Sequence, residues 1–338
     1  MDENIRASYP KGTIMKHAAC ILALMALIVL QLSSATAQQY PARPITLIVP
    51  FAPGGPVDTI ARPVAASMGK PLKQAVVIEN VGGAGGNIGV ARAAKAAPDG
   101  YTILIHHMGM STSPALYKKL DFDPLADFEY IGLIGDSTSM LLARRDFPSK
   151  DLKDFIAYVK ANKDKLSFAS TGPAGGPPCA LLFMNAIKTE LLEVVFKSSA
   201  LGMTELIAGR VDMMCDSVLT ATPHVKAGKV KAIGATSKYR SPALPDLPTL
   251  DEQGLPGFEL TNWMGLYAPK NAPRAATERL VAALQVSLSD PQLLAVLDKL
   301  YFKVATPEQA TPAGLAQRLK SEIAKWGPIL RNVAIQSN

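Results

Sequence analysis

Charge is scarce in this sequence. Only 19% of its 338 residues are charged, while 48% are hydrophobic, which excludes a disordered, charge-solvated chain and indicates a packed globular body. Cysteine is scarcer still, with three in the whole chain, and no CxxC or His/Cys cluster supplies the spacing of a metal site. Of four histidines, only His106, His107 and His224 lie beyond the first 37 residues, and no GxSxG elbow accompanies them. A triad hydrolase built on Ser170, Ser198 or Ser217 therefore lacks a recognisable pattern. No basic run interleaved with aromatics is present, which argues against nucleic acid. After residue 32 no long uncharged stretch recurs, so nothing later in the chain has the composition of a membrane span.

What is present begins with an N-terminal signal. Residues 18–32 are almost unbroken apolar sequence, preceded by Arg6, Lys11 and Lys16 and followed by Ala35-Thr36-Ala37. That is the layout of a secretory leader, with cleavage expected after Ala37 and a soluble, periplasmic product. Met15 opens a more ordinary leader than Met1, and the sequence leaves the choice of start open. Of 35 basic and 28 acidic residues, three and two fall before residue 38, so the remainder carries +6. A mildly basic exported body favours anionic ligands without identifying one. Cys20 leaves with the leader. Cys179 and Cys215 remain, free to pair or not, since sequence does not supply the geometry.

The chain is organised around residues 48–58, IVPFAPGGPVD. A short β-branched run ends at Pro50, Gly54-Gly55 make a turn, and helical spacing begins with Pro56, where a missing N–H costs nothing. A helix N-terminus presents unpaired N–H groups, and glycine lets an anion approach them. One such turn alone is equally a plain βα connection that binds nothing. The device recurs, however. VVIE runs into Asn80-Val81-Gly82-Gly83-Ala84-Gly85-Gly86, and residues 166–169 run into Ser170-Thr171-Gly172-Pro173-Ala174-Gly175-Gly176. GGAGG lacks the order of a phosphate loop. The strand at 101–105 ends in His106, His107 and a Gly/Ser/Thr tract read as a polar loop, a ligand contact rather than a metal site. Asp216, after the strand at 211–215, faces a crevice or caps the next helix. Strand and helix alternate throughout, which predicts an α/β fold with a parallel sheet in each half. Residues 131–142 and 260–268 suit two crossings between the halves, so a ligand cleft is expected where the strand ends meet.

Seven ordered segments carry a resemblance: YPARPITLIVPFAPGGPVDTIAR, ENVGGAGGNIG, APDGYTILI, DPLADFEYIG, AGRVDMMCDS, GKVKAIGATSKYRSPALPDLPTLDEQGLPGFE and NWMGLYAPKNAP. The chain resembles the Bug proteins, extracytoplasmic receptors of the tripartite tricarboxylate transporter type. The resemblance implies a type II periplasmic-binding-protein fold, with two parallel-sheet lobes joined by two crossing strands around a ligand cleft. Residues 38–138 plus 263–338 would form lobe 1, and residues 139–262 lobe 2. It further implies a monomeric, non-catalytic receptor without cofactor or metal. Such a receptor would capture a small carboxylate (a dicarboxylate, amino acid or aromatic acid) and deliver it to membrane transporter subunits. A sensor subunit presenting the same ligand to a signalling receptor would use the same pocket. Carried over by position, the candidate ligand residues are Phe51, Ala52, Gly54, Gly55 and Asp58; Val81, Ala84, Gly85 and Gly86; Thr171, Gly172, Ala174 and Gly175; and Asp216; His106, Ser170 and Lys197, at the ends of their strands, are candidates beside them. Two segments depart from the family pattern, at Gly176-Pro177-Pro178 and at Val195-Phe196-Lys197-Ser198, so the identity of the ligand does not transfer.

Overall fold

The computed structural model describes residues 40–172 and 178–330. The leader, its expected cleavage point, Ala174 and Gly175 lie outside the described residues. Three strand-to-helix units open the fold. They are β1 (Ile45–Val49) with α1 (Pro56–Leu72), β2 (Val76–Asn80) with α2 (Asn87–Ala94), and β3 (Thr102–His107) with α3 (Gly109–Leu116). β1 lies between β2 and β3, parallel to both. Ile45, Leu47, Ile48 and Val49 are fully buried, as expected of a parallel strand covered on both faces. α1 packs on it through Val57, Ile60, Ala61, Val64, Ala65 and Met68, an i, i+3, i+4 stripe read directly from the sequence.

β4 (Phe128–Arg144) serves two sheets. Its first part pairs antiparallel with β9 (Thr261–Pro269), which in turn pairs antiparallel with β3. Its last part, from Ser139 onward, pairs with β7 (Met213–Ser217) and, from Met140, with β8 (Val230–Ala235). The second sheet also holds β5 (Ser167–Ser170), parallel to both β6 (Leu192–Val195) and β7. Its helices are α4 (Leu152–Ala161), α5 (Cys179–Ile187), α6 (Ser199–Ile207) and α7 (Val218–Lys226). After β9 come α8 (Arg274–Ser287), α9 (Pro291–Lys299), β10 (Phe302–Val304) and α10 (Pro312–Leu330). β10 pairs with Gly135–Ser137 so closely that a Cβ on Gly135 (φ +153°) would stand 2.2 Å from the Lys303 carbonyl oxygen. Both halves are thus parallel βα units joined to antiparallel crossing strands, and no single described helix is long and apolar enough to cross a membrane.

Three details depart from the sequence reading. The apolar stretch at 131–142 is part of one longer strand, because pairing with β9 and β10 carries the backbone through Gly135 without a break. The return to the first sheet is complete by Thr261, which already pairs with Thr138. Buried Thr236 ties the two passages together: its Oγ lies 3.0 Å from the Ser139 carbonyl and 2.7 Å from that of Leu260, and its own carbonyl accepts from the Leu260 N–H. Finally, the Gly/Ser/Thr tract after His107 is the helix α3. Ser111 and Thr112 turn their hydroxyls back onto the carbonyls of Met108 and Gly109, and α3 is buried beneath α10, so packing outweighs poor intrinsic propensity.

Cys179, at the start of α5, is bonded to Cys215 of β7, with Cα atoms 6.1 Å apart. The bond closes a loop spanning 36 residues of sequence, which removes about 3–4 kcal/mol of chain entropy from the unfolded state. Thiol titration of denatured, unreduced protein lacking residues 1–37 should find no free thiol. Cys179→Ser should lower the unfolding free energy by about 3 kcal/mol, and two titratable thiols would show the bond is not formed.

Candidate functional site

The loop from β1 to α1 is shaped from within. Asp58, in the first turn of α1, is buried, and both of its oxygens are engaged. Oδ2 accepts from the Gly54 N–H (2.8 Å) and Arg62 Nε (2.8 Å), while Oδ1 accepts from Arg62 Nη2 (3.0 Å) and Asn80 Nδ2 (2.9 Å). Asn80, the last residue of β2, also donates to the Phe51 carbonyl. Burial raises the Asp58 pKa, but the bonds from Arg62, Gly54 and Asn80 outweigh it and hold the carboxyl below its ordinary value. Asp58 therefore organises the loop as an ion, and Arg62 offsets its charge. Arg62 is thereby part of the loop's frame.

The loop glycines also bond internally. Gly55 N–H reaches the Ala52 carbonyl, and Gly86 N–H reaches that of Gly83. Gly54, Gly83, Gly85 and Gly86 all have positive φ, and so does Ala84 between them. The donors left over are first-turn amides of α1 and one amide in the turn before α2, whose own first amide, the Asn87 N–H, bonds the Ala84 carbonyl. α1 begins at Gly55 and α2 at Gly86, and neither helix has a side-chain cap. Among the described residues the N–H groups of Val57, Asp58 and Gly85 have no acceptor. The N-terminus of α1 thus opens uncapped at the mouth of β1, and at the mouth of β2 a tight turn, Ala84–Gly86, leads into α2 with no side-chain cap.

The histidine pair closes the bottom of this cluster. Phe51 packs edge-on to His106, with ring centroids 5.5 Å apart, and tilted against His107 at 4.7 Å. His106 is fully buried, and burial lowers its pKa to about 4, a shift that its bond to the His107 carbonyl only partly opposes. Burial and the neighbouring His106 lower the pKa of His107 as well. Both rings are neutral at neutral pH. A Cβ on Gly86 would stand 2.9 Å from His106 Nε2 and 3.0 Å from the Phe51 ring, so only glycine fits there.

The second sheet gathers another set. Ser170 Oγ donates to Glu193 (2.5 Å) and accepts from the Gly172 N–H, shaping the visible part of the third glycine loop, which continues through Thr171. Asp216 is buried and accepts from Thr220 Oγ (2.8 Å) and the Ser217 N–H (2.9 Å). Desolvation raises its pKa against those bonds. Lys197 is exposed, two residues before α6. Ser198 and Ser217, considered above as nucleophiles, cap α6 and α7, and among the described residues no histidine bonds either of them or Ser170. Phe51, Gly54, Gly55, Asp58, Gly86 and His106 therefore form one cluster, and Ser170, Gly172 and Asp216 lie at the carboxyl ends of strands in the other sheet. Asn80, Arg62 and Glu193 join these clusters without having been selected from the sequence, and His107, read there with His106, is absent from the residues carried over. An amide directly after a strand and before a glycine loop was the available signal for Asn80.

A paired sheet with glycine turns at its strand ends suits an enzyme or a binding protein alike, and comparison with known proteins decides the family. Residues 60–335 match the tripartite tricarboxylate transporter family receptor, and the chain belongs to that family. It is 41% identical over 292 residues to the UPF0065 protein of the TAR-I ttuE-ttuC' intergenic region of Agrobacterium vitis, covering 86% of this chain and 84% of that one. Its fold is similar to that of the periplasmic binding protein BugD, at 41% identity and a TM-score of 0.73 over 88% of this chain and 100% of the other. It is also similar to MatC from Rhodopseudomonas palustris with bound malate, at 39% identity and a TM-score of 0.73 over 86% and 100%.

Two pH windows follow from the protonation states. Asp58 has a folded pKa below its unfolded value of 3.8, so its contribution is complete above that value and is lost as pH falls through the lower folded one. His106 has a folded pKa of about 4 against 6.5 unfolded. Between these values the unfolded chain binds a proton that the folded chain does not, so stability should fall as pH drops, by up to about 1.4 kcal/mol per unit. Denaturant titrations across this range should show the slope, and His106→Gln should reduce it. A flat profile in the parent protein would contradict the buried neutral ring.

Proposed function

We propose that this protein is an exported, non-catalytic receptor that captures a small carboxylate and presents it to membrane transporter subunits. The carrying observation is the uncapped N-terminus of α1 beside the glycine turn that leads into α2, next to a neutral histidine pair. Family membership and the malate-bound relative support it. In this reading the carboxylate rests on the amides around Val57, Asp58 and Gly85, where the helix dipoles favour negative charge. The residues of the second sheet, with Ser170, Gly172 and Asp216, close over the rest of the molecule. The parts of the chain that build the first sheet and those that build the second act as the two lobes, hinged where Thr236 joins Ser139 and Leu260. The three serines act as caps and loop braces, which supports binding over hydrolysis. The basic, apolar-cored leader supports export to the periplasm.

A thermal-shift screen of small carboxylic acids tests the reading. A true ligand at 100 times its dissociation constant adds about 2.7 kcal/mol to the folded state. Gly86→Val fills the approach at a positive-φ position and should weaken binding about tenfold or more, while Arg62→Ala, acting only through Asp58, should cost a few-fold. Calorimetry on variants shown folded by circular dichroism checks the order. Failure of every acid class to stabilise the protein would reject the proposal.

A further inference from the structure

The two imidazoles at the end of β3 have fixed and opposite tautomers. His106 Nδ1 lies 2.8 Å from the His107 carbonyl oxygen, which can only accept, so in the neutral ring the proton sits on Nδ1 and Nε2 is a bare acceptor. The Gly109 N–H donates to His107 Nδ1 at 2.8 Å, so there the proton sits on Nε2. The ring centroids are 4.9 Å apart, edge to face, so one ring with an acceptor Nε2 packs against one with a donor Nε2. His106 Nε2 is also fully buried and has no hydrogen-bond partner, an expensive condition for a polar atom. It points at Gly86, the uncapped N-cap of α2, from the side where a Cβ would be.

A plain carboxylate does not answer this arrangement, because it would bring acceptor to acceptor at Nε2. We propose that the ligand is an α-hydroxy carboxylate, its hydroxyl donating to His106 Nε2 while its carboxylate takes the Gly85 amide and the His107 Nε2–H. This rests on the reading of the site as a carboxylate receptor. An ammonium group could also donate to His106, but both oxygens of Asp58, the nearby carboxylate of this cluster, are already engaged, so its charge would go unanswered. Because Nε2 is enclosed against Gly86, the proposal requires the glycine turn at Gly85 and Gly86 to move off the ring when the hydroxyl enters. His106 is then a specificity-determining residue, and its neutral state at neutral pH is what keeps the acceptor available.

Calorimetry near neutral pH with matched pairs of acids tests this: malate with succinate, lactate with propionate, and mandelate with phenylacetate. In at least one pair the hydroxy acid should bind about tenfold or more tighter than its deoxy partner. His106→Leu should collapse that ratio, and His106→Gln, whose Oε1 can take the place of Nε2, should retain part of it. Deoxy acids binding as tightly as their partners in every pair would overturn the inference and leave the receptor reading standing. A ratio that survives His106→Leu would overturn the role of His106. If none of the six acids binds while another carboxylate does, the α-hydroxy assignment fails alone; if no carboxylate binds, both readings fail together.

Discussion

One strand carries both halves of the molecule. β4 is hydrogen-bonded to β9 and β10 along its first part and to β7 and β8 along its last, so the two sheets are joined through a single extended backbone. That constraint explains why Gly135 is glycine: β10 approaches where no side chain fits. It also explains the buried hydroxyls of Thr138 and Thr236 at the change of sheet, where backbone groups leaving one ladder need partners before joining the next. The parallel strands on either side then present their carboxyl ends, and the loops that follow them, as the working surfaces of the fold.

At the first of these surfaces, electrostatics and backbone geometry divide the work. Asp58 is spent on the loop itself, joining Gly54, Arg62 and Asn80, so the anion-attracting element is the helix terminus and not a side-chain cation. In the second sheet Ser198 and Ser217 cap α6 and α7, while α5 has no side-chain cap, like α1 and α2. Neutral histidines beneath them add hydrogen-bonding character without adding charge.

Much of this was legible in the sequence, and the omissions have physical causes. The alternation of short β-branched runs with helical spacing identifies the α/β fold, and glycine pairs after strands identify β1, β2 and their helix starts, because both signals are local. Asp58 was legible as a first-turn carboxylate but not as the hub of the loop, since Asn80 lies 22 residues away and meets it only through the pairing of β1 with β2. α3 was hidden by its composition: glycine, serine, threonine and proline read as loop, and only burial under α10 makes them helical. The pairing of Cys179 with Cys215 was equally invisible until α5 was placed against β7.

The central claim is that a small carboxylate binds between two halves that move about the Ser139, Thr236 and Leu260 junction. Small-angle scattering of the protein without residues 1–37, with and without a saturating carboxylate, tests it most directly. The account predicts a smaller radius of gyration in the bound state. An unchanged radius with a carboxylate demonstrably bound would contradict it.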